Sequence, residues 1–252
     1  MALFFPDDAS YDESVRMTGF YRYRQLLSFY TFGWIRTNLM TVLGVLPLAA
    51  GIAYSILSSS LLLMIPLSIA GGMIFGPFLA CMVDAVMRGL RDAPGRWWHT
   101  YKKSFRQNLT DSLLPGALTG LIAGIYSFMV YMIWSANAAP GATVVILLLF
   151  SVLLVTIFEI LYWPQLVLFR QTVGTRIRNT ILFTAKYLWR VLLSAVLVMI
   201  WLAILILFAP WTLILVPFLG FWWPVFISQF FIYRYLDEEL QIEDRINKLP
   251  AE

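Results

Sequence analysis

The chain of 252 residues is 60% hydrophobic and 16% aromatic, yet only 13% of it is charged, against about a quarter in soluble domains. So few charges cannot coat a core of this size, which excludes a water-soluble globule, and the same apolar content excludes intrinsic disorder. The formal charge of +4 comes from basic residues that border apolar runs rather than forming a patch, which argues against nucleic acid as a partner. One cysteine, Cys81, and one histidine, His99, leave no intramolecular disulfide and no zinc site of Cys and His ligands.

The chain opens Met1-Ala2-Leu3-Phe4-Phe5-Pro6 and runs directly into Asp7-Asp8. It has neither a basic n-region nor an apolar h-region there, so the opening reads as a cytoplasmic tail and not as a cleavable signal. Residues 1–36 are expected to be this tail followed by an interfacial helix.

Three long stretches then carry no charge. They lie between Arg36 and Asp84, between Asp111 and Glu159, and between Arg190 and Arg234. A spanning helix takes about 20 apolar residues, so each stretch is too long for one helix and suits two joined by a tight turn. Each has a breaker near its middle: Ser58-Ser59-Ser60, then Ala136-Asn137-Ala138-Ala139-Pro140-Gly141, then Ala209-Pro210. The predicted spans are 37–57, 61–83, 112–135, 142–168, 191–208 and 212–234. Pro66, Gly71, Gly72, Gly76 and Pro77 interrupt the second, which is expected to be a broken helix. Residues 37–236 form the membrane domain, and 237–252 a charged cytoplasmic tail.

All 18 Lys and Arg fall before the first span, around the second–third and fourth–fifth connections, or from the end of the sixth span onward. Positive charge marks the cytoplasmic side. Both termini are therefore expected inside, and the three short turns outside.

The three hairpins are expected to be related. Spans one, three and five start about 75–79 residues apart, each after a segment mixing aromatic and basic residues: 21–36, 96–108 and 176–190. In the second of these, Trp97, Trp98, Tyr101, Phe105 and Leu109 share a helical face, away from Lys102, Lys103 and Arg106. That pattern suits a helix lying in the interface, with aromatics among the headgroups and Arg96, Lys102, Lys103 and Arg106 on anionic phosphates or on a partner. The second helix of each hairpin has an aromatic just before a proline, then an arginine: Phe75-Gly76-Pro77 with Arg88, Trp163-Pro164 with Arg170, and Trp223-Pro224 with Arg234. Pro77, Pro164 and Pro224 each free a carbonyl and are expected to kink their helices. The expected fold is all-α: a polytopic membrane protein with six transmembrane helices as three hairpins, a pseudo-threefold repeat and interfacial amphipathic helices.

Polar groups at membrane depth are candidate sites. Glu159 stands 11 residues before Arg170, about 16 Å along a helix and near mid-bilayer, where a low dielectric favours the neutral acid. Two readings remain open: a proton, cation or polar-substrate site, or a neutral acid bonded to a neighbouring hydroxyl or freed carbonyl. Asp84 has Arg88 at i+4 and reads as an ion pair. Gln165 and Gln229 follow the prolines of spans four and six, and either line a cavity or bond between helices. His99 and Cys81 read as packing residues. There is no phosphate-binding glycine loop, no zinc-protease motif and no histidine at membrane depth to serve a serine nucleophile. An enzyme is not expected, nor are catalytic residues, a metal or a cofactor.

From Gly76 to Asn108 the sequence resembles a known family. Gly76-Pro77-Phe78-Leu79-Ala80 leads to Met87-Arg88-Gly89-Leu90-Arg91-Asp92, then Trp97-Trp98-His99-Thr100-Tyr101 and Phe105-Arg106-Gln107-Asn108. Asn38-Leu39, Leu46-Pro47 and residues 220–233 fit the same pattern. These resemble the YesL-like family of small bacterial multi-pass membrane proteins. The resemblance implies six helices in the inner membrane and an association with carbohydrate uptake, and the expected role is an accessory component beside sugar ABC importer subunits. It supplies no catalytic or binding residues. A small stand-alone transporter or channel and a structural membrane protein without ligand are the alternatives.

Overall fold

The computed structural model describes residues 17–93, 95–136 and 140–243. In order, the helices are α1 (Gly19–Leu57), α2 (Leu61–Leu90), α3 (Trp97–Ser135), α4 (Ala142–Leu168), α5 (Val173–Lys186), α6 (Leu188–Leu207), α7 (Val216–Leu219) and α8 (Trp222–Leu240), with a 3₁₀ turn at Trp211–Ile214. Six stretches are long and apolar enough to cross a bilayer, namely α1, α2, α3, α4, α6 and Val216–Leu240. The surface agrees with that solvent. Leu43, Leu62, Ile146, Leu147 and Leu207 are exposed, while Asn38, Thr41, Ser68 and Gln229 are buried. This inverts the soluble arrangement and follows from a lipid phase that solvates leucine but offers amides and hydroxyls nothing. The chain is an integral, multi-pass, all-helical membrane protein.

The first expected turn forms at Ser58–Ser60. Ser59 takes a left-handed conformation (φ 49°), Ser60 N–H bonds back to Ser55 O at 3.0 Å, and the Ser60 hydroxyl caps α2 by accepting from Leu63 N at 3.4 Å. In the second turn, Asn137, Ala138 and Ala139 lie outside the described residues. The third begins where α6 ends, and Thr212 Oγ1 donates to Leu205 O at 2.7 Å.

Two expectations need correction. The second span is not broken: α2 runs unbroken from Leu61 to Leu90 with Pro66 and Pro77 inside it. The break falls in the sixth span, where the 3₁₀ turn, α7 and α8 replace one helix. Nor are 21–36 and 96–108 separate interfacial helices, since they form the first turns of α1 and α3. Some of their aromatics pack on protein, while Tyr21, Phe29, Phe32 and Trp98 stay exposed. Trp34 donates to Ala85 O at 3.1 Å and packs on Phe226 at 4.7 Å between centroids. Phe105 meets Phe78 edge-on at 5.3 Å. Only the third segment yields a distinct short helix, α5.

The glycines of α2 are a packing seam. Ser68, Gly72 and Gly76 on α2 recur every fourth residue, as do Ser112, Gly116, Gly120 and Gly124 on α3, and the two rows interlock antiparallel. A Cβ on Gly116 would stand 2.5 Å from Gly72 O and 2.7 Å from Gly76 Cα. Small residues at this spacing let backbones touch where no hydrophobic effect drives helices together. On its other side α2 meets α1, with Gly71 against Leu48 and Gly44 against Phe78.

One ion pair ties the start of α1 to the end of α2, and a second lies within α2. Arg22 reaches Asp92 at 2.6 Å and Leu90 O at 3.1 Å, and Asp84 pairs with Arg88 at 2.9 Å. Beside them, burial lowers the Arg91 pKa from its ordinary value, with the Asp84 charge opposing the shift.

Candidate functional site

Glu159 lies on α4, nine residues from its end at Leu168. Two groups hold its carboxyl. Thr119, midway along α3, donates to Oε1 at 2.8 Å, and Trp163, one turn further along α4, donates its indole N–H to Oε2. An indole nitrogen only donates, so Oε2 must accept, whereas a hydroxyl bonds in either direction. A proton on this acid therefore belongs on Oε1, facing Thr119, and both protonation states are hydrogen-bonded.

The α4 helix continues past Pro164 because a neighbour repairs the damage. Proline leaves unpaired the carbonyl four residues back, here Ile160 O, and Gln229 Nε2 of α8 donates to that oxygen at 2.7 Å. Pro224 stands in the first turn of α8, where N–H groups are unpaired in any helix. The carbonyl four back, Gly220 O, accepts from Trp201 Nε1 at 3.3 Å. Pro77 is enclosed within α2.

Glu159 and Thr119 line a half-open groove of about 340 Å³ between α3 and α4. Leu114, Leu118 and Leu154 form its exposed rim, and Phe158 and Tyr162 stack along its wall at 5.2 Å. Val173 and Ile177 of α5 close one end. Arg176, buried between them, pairs with Asp111 of α3 at 3.1 Å. One turn on, Thr180 accepts from Gln165 Nε2 at 3.0 Å. These two bonds pin α5 across the groove.

The four polar candidates are thus not one site. Glu159 faces the groove, Gln229 completes a helix backbone, Gln165 holds α5, and Asp84 is paired with Arg88. Arg96 precedes α3 and is exposed, as are Lys102, Lys103 and Arg106. The Lys102 ammonium lies over the Trp98 ring at 5.1 Å. His99 is exposed, and Cys81 is buried near Tyr101 O. Among the described residues, no three His, Cys, Asp or Glu side chains gather as a metal site.

Two residues were missed in the reading of the sequence. Arg176 belongs to a buried row with Thr180 and Phe183, a spacing of four and three that marks one helical face. Asn38, fully buried, bonds four backbone groups of the broken sixth span. Its Nδ2 donates to Val216 O at 2.8 Å and Pro217 O at 2.7 Å. Its Oδ1 accepts from Phe221 N at 2.8 Å and Trp222 N at 3.2 Å. Its signal was an amide inside an uncharged run. Compared with protein-family models, with curated proteins and with solved structures, the chain matches none.

Proposed function

We propose that this integral membrane protein is an accessory subunit of the cytoplasmic (inner) membrane that works beside a carbohydrate importer and performs no chemistry of its own. The carbohydrate association rests on the resemblance to YesL-like proteins in residues 76–108. The observation that carries the accessory role is where the buried polar groups go. Asn38, Thr41, Gln165 and Gln229 bond to helix backbones and neighbouring hydroxyls, which builds a rigid frame and not a hydrated path. In this reading both termini face the cytoplasm, the helices form three related hairpins, and α5 lies in the interface with Ile181 and Leu182 exposed to lipid.

Lys102, Lys103 and Arg106 are the partner-facing or headgroup-facing cations of this reading. Reversing all three to Glu leaves the buried face of α3 intact. It should weaken co-purification with importer subunits in mild detergent by about tenfold, since surface cations act through complementary charge. A wild-type eluate free of importer subunits, or one unchanged by the reversal, refutes the accessory role. Orientation has its own check. With Cys81 replaced by Ala, Ser59→Cys and Pro210→Cys should react with an impermeant thiol reagent added outside. Lys103→Cys and Arg178→Cys should react only after permeabilisation, and the opposite pattern inverts the topology.

A second reading, a small stand-alone transporter, is favoured by one observation: Glu159 faces a groove and not a helix interior.

A further inference from the structure

The groove between α3 and α4 combines features that a packing defect does not. It is apolar, it opens through Leu114, Leu118 and Leu154 on the exposed surface, and its wall carries a carboxyl whose two hydrogen-bond partners, Thr119 and Trp163, are both neutral. An ionisable group at membrane depth is costly. One used only to join α3 to α4 gains nothing from standing on a groove wall, where Glu159 is partly exposed.

We propose that this groove binds a lipophilic organic cation that enters from the bilayer. Three properties select this class. First, a carboxyl held only by neutral partners is drawn to its ionised form by a positive ligand, and the resulting attraction in a low-dielectric setting is strong. Second, the partly exposed Phe158 ring beside Glu159, backed by buried Tyr162, is an aromatic wall of the kind that attracts cations. Third, the remaining lining is aliphatic. A calcium ion takes six to eight oxygens and magnesium keeps an octahedral shell, whereas the side chains of this wall supply one carboxyl, one threonine hydroxyl and one phenol. A bulky, weakly hydrated cation needs only the charge and the apolar surface. The volume of about 340 Å³ falls at the small end of ligand pockets. An acyl chain would fill the apolar part but leave the carboxyl without a counterpart. The site does not depend on an importer being the partner.

The test uses two probes of the same shape and opposite charge, tetraphenylphosphonium and tetraphenylborate, in equilibrium dialysis against the full-length protein in a neutral maltoside. The cation should bind saturably and at least about tenfold more tightly than the anion. Glu159→Gln keeps both hydrogen bonds, because the amide oxygen accepts from Trp163 and its NH₂ donates to Thr119. It should weaken cation binding by about tenfold or more while leaving the melting temperature unchanged. Leu118→Trp fills the mouth without touching the charge. It should also weaken binding, and it serves as the decisive variant if Glu159→Gln does not fold. Equal binding of the two probes overturns the proposal in favour of an apolar groove for lipid tails. Wild-type affinity in a folded Glu159→Gln protein, or in Leu118→Trp, also overturns it, as does the absence of saturable binding of the cation.

Discussion

Asn38→Ala should lower the melting temperature in detergent by about 10 °C, with a loss of about 3–5 kcal/mol. The size follows from what the side chain holds. The sixth span breaks between Val216 and Trp222, which strands Pro217 O and the N–H groups of Phe221 and Trp222, while Val216 O keeps the Gly220 N–H at 2.9 Å. Water would satisfy them in a soluble protein, and no water is at hand in a hydrocarbon interior. Asn38, from the far end of the sequence, serves these three and adds a second donor to Val216 O: two carbonyls at 2.7 and 2.8 Å and two N–H groups at 2.8 and 3.2 Å. Each buried group left unpaired costs about 1–3 kcal/mol, and local rearrangement recovers part of the sum. Asn38→Asp is the sharper variant. It has the same shape and still accepts from Phe221 and Trp222, but it turns an oxygen toward the carbonyls of Val216 and Pro217. It should melt at or below the alanine variant. A wild-type melting temperature for Asp would show that the two carbonyls need no donor.

That bridge also marks where reading the chain alone stopped. Uncharged runs and the Ser58-Ser59-Ser60 turn were legible because a bilayer permits few alternatives to a helix of about 20 apolar residues. Where a span breaks was not legible. Pro66, Gly71, Gly72, Gly76 and Pro77 resemble helix breakers, yet α2 is continuous, with Gly71 against Leu48 of α1 and Gly72 and Gly76 against the backbone of α3. Their fourfold spacing, matched by Ser112, Gly116, Gly120 and Gly124, carried that meaning. The true break at Val216-Pro217 and Gly220 looks no stronger locally, and it persists because Asn38 supplies the missing partners. Likewise, aromatics on one face of 96–108 suit headgroups and a neighbouring helix equally well, and only the approach of Phe78 and Cys81 of α2 decides. Glu159 was legible as a site because charge is rare in such runs. Its groove was not, since the gap depends on how α3 and α4 diverge and on α5 being tied to Asp111 and Gln165.

The α2–α3 seam yields a prediction in which one substitution has opposite signs at two places. Glycine inside a helix is less favourable than alanine by about 1 kcal/mol, so Gly→Ala should stabilise wherever the added methyl meets nothing. Gly33 of α1 is such a place, where an added Cβ would find no neighbouring atom within 4 Å, and Gly33→Ala should raise the melting temperature by about 2 °C. Gly116→Ala makes the same chemical change where the methyl would lie 2.5 Å from Gly72 O and 2.7 Å from Gly76 Cα. Both obstacles are backbone, so no rotamer change relieves them, and α2 and α3 must separate by several tenths of an ångström along the row. Overpacking of this kind costs about 1–3 kcal/mol and sometimes more. The separation also loosens the contacts of Gly72 and Gly120, which are equally close. The packing loss outweighs the propensity gain, and Gly116→Ala should melt about 5 °C or more below wild type. Gly116→Leu, with a side chain too large for any shared adjustment, should prevent recovery of folded protein. If Gly116→Ala were to stabilise as Gly33→Ala does, the two helices would not meet through their backbones and the seam would be wrong.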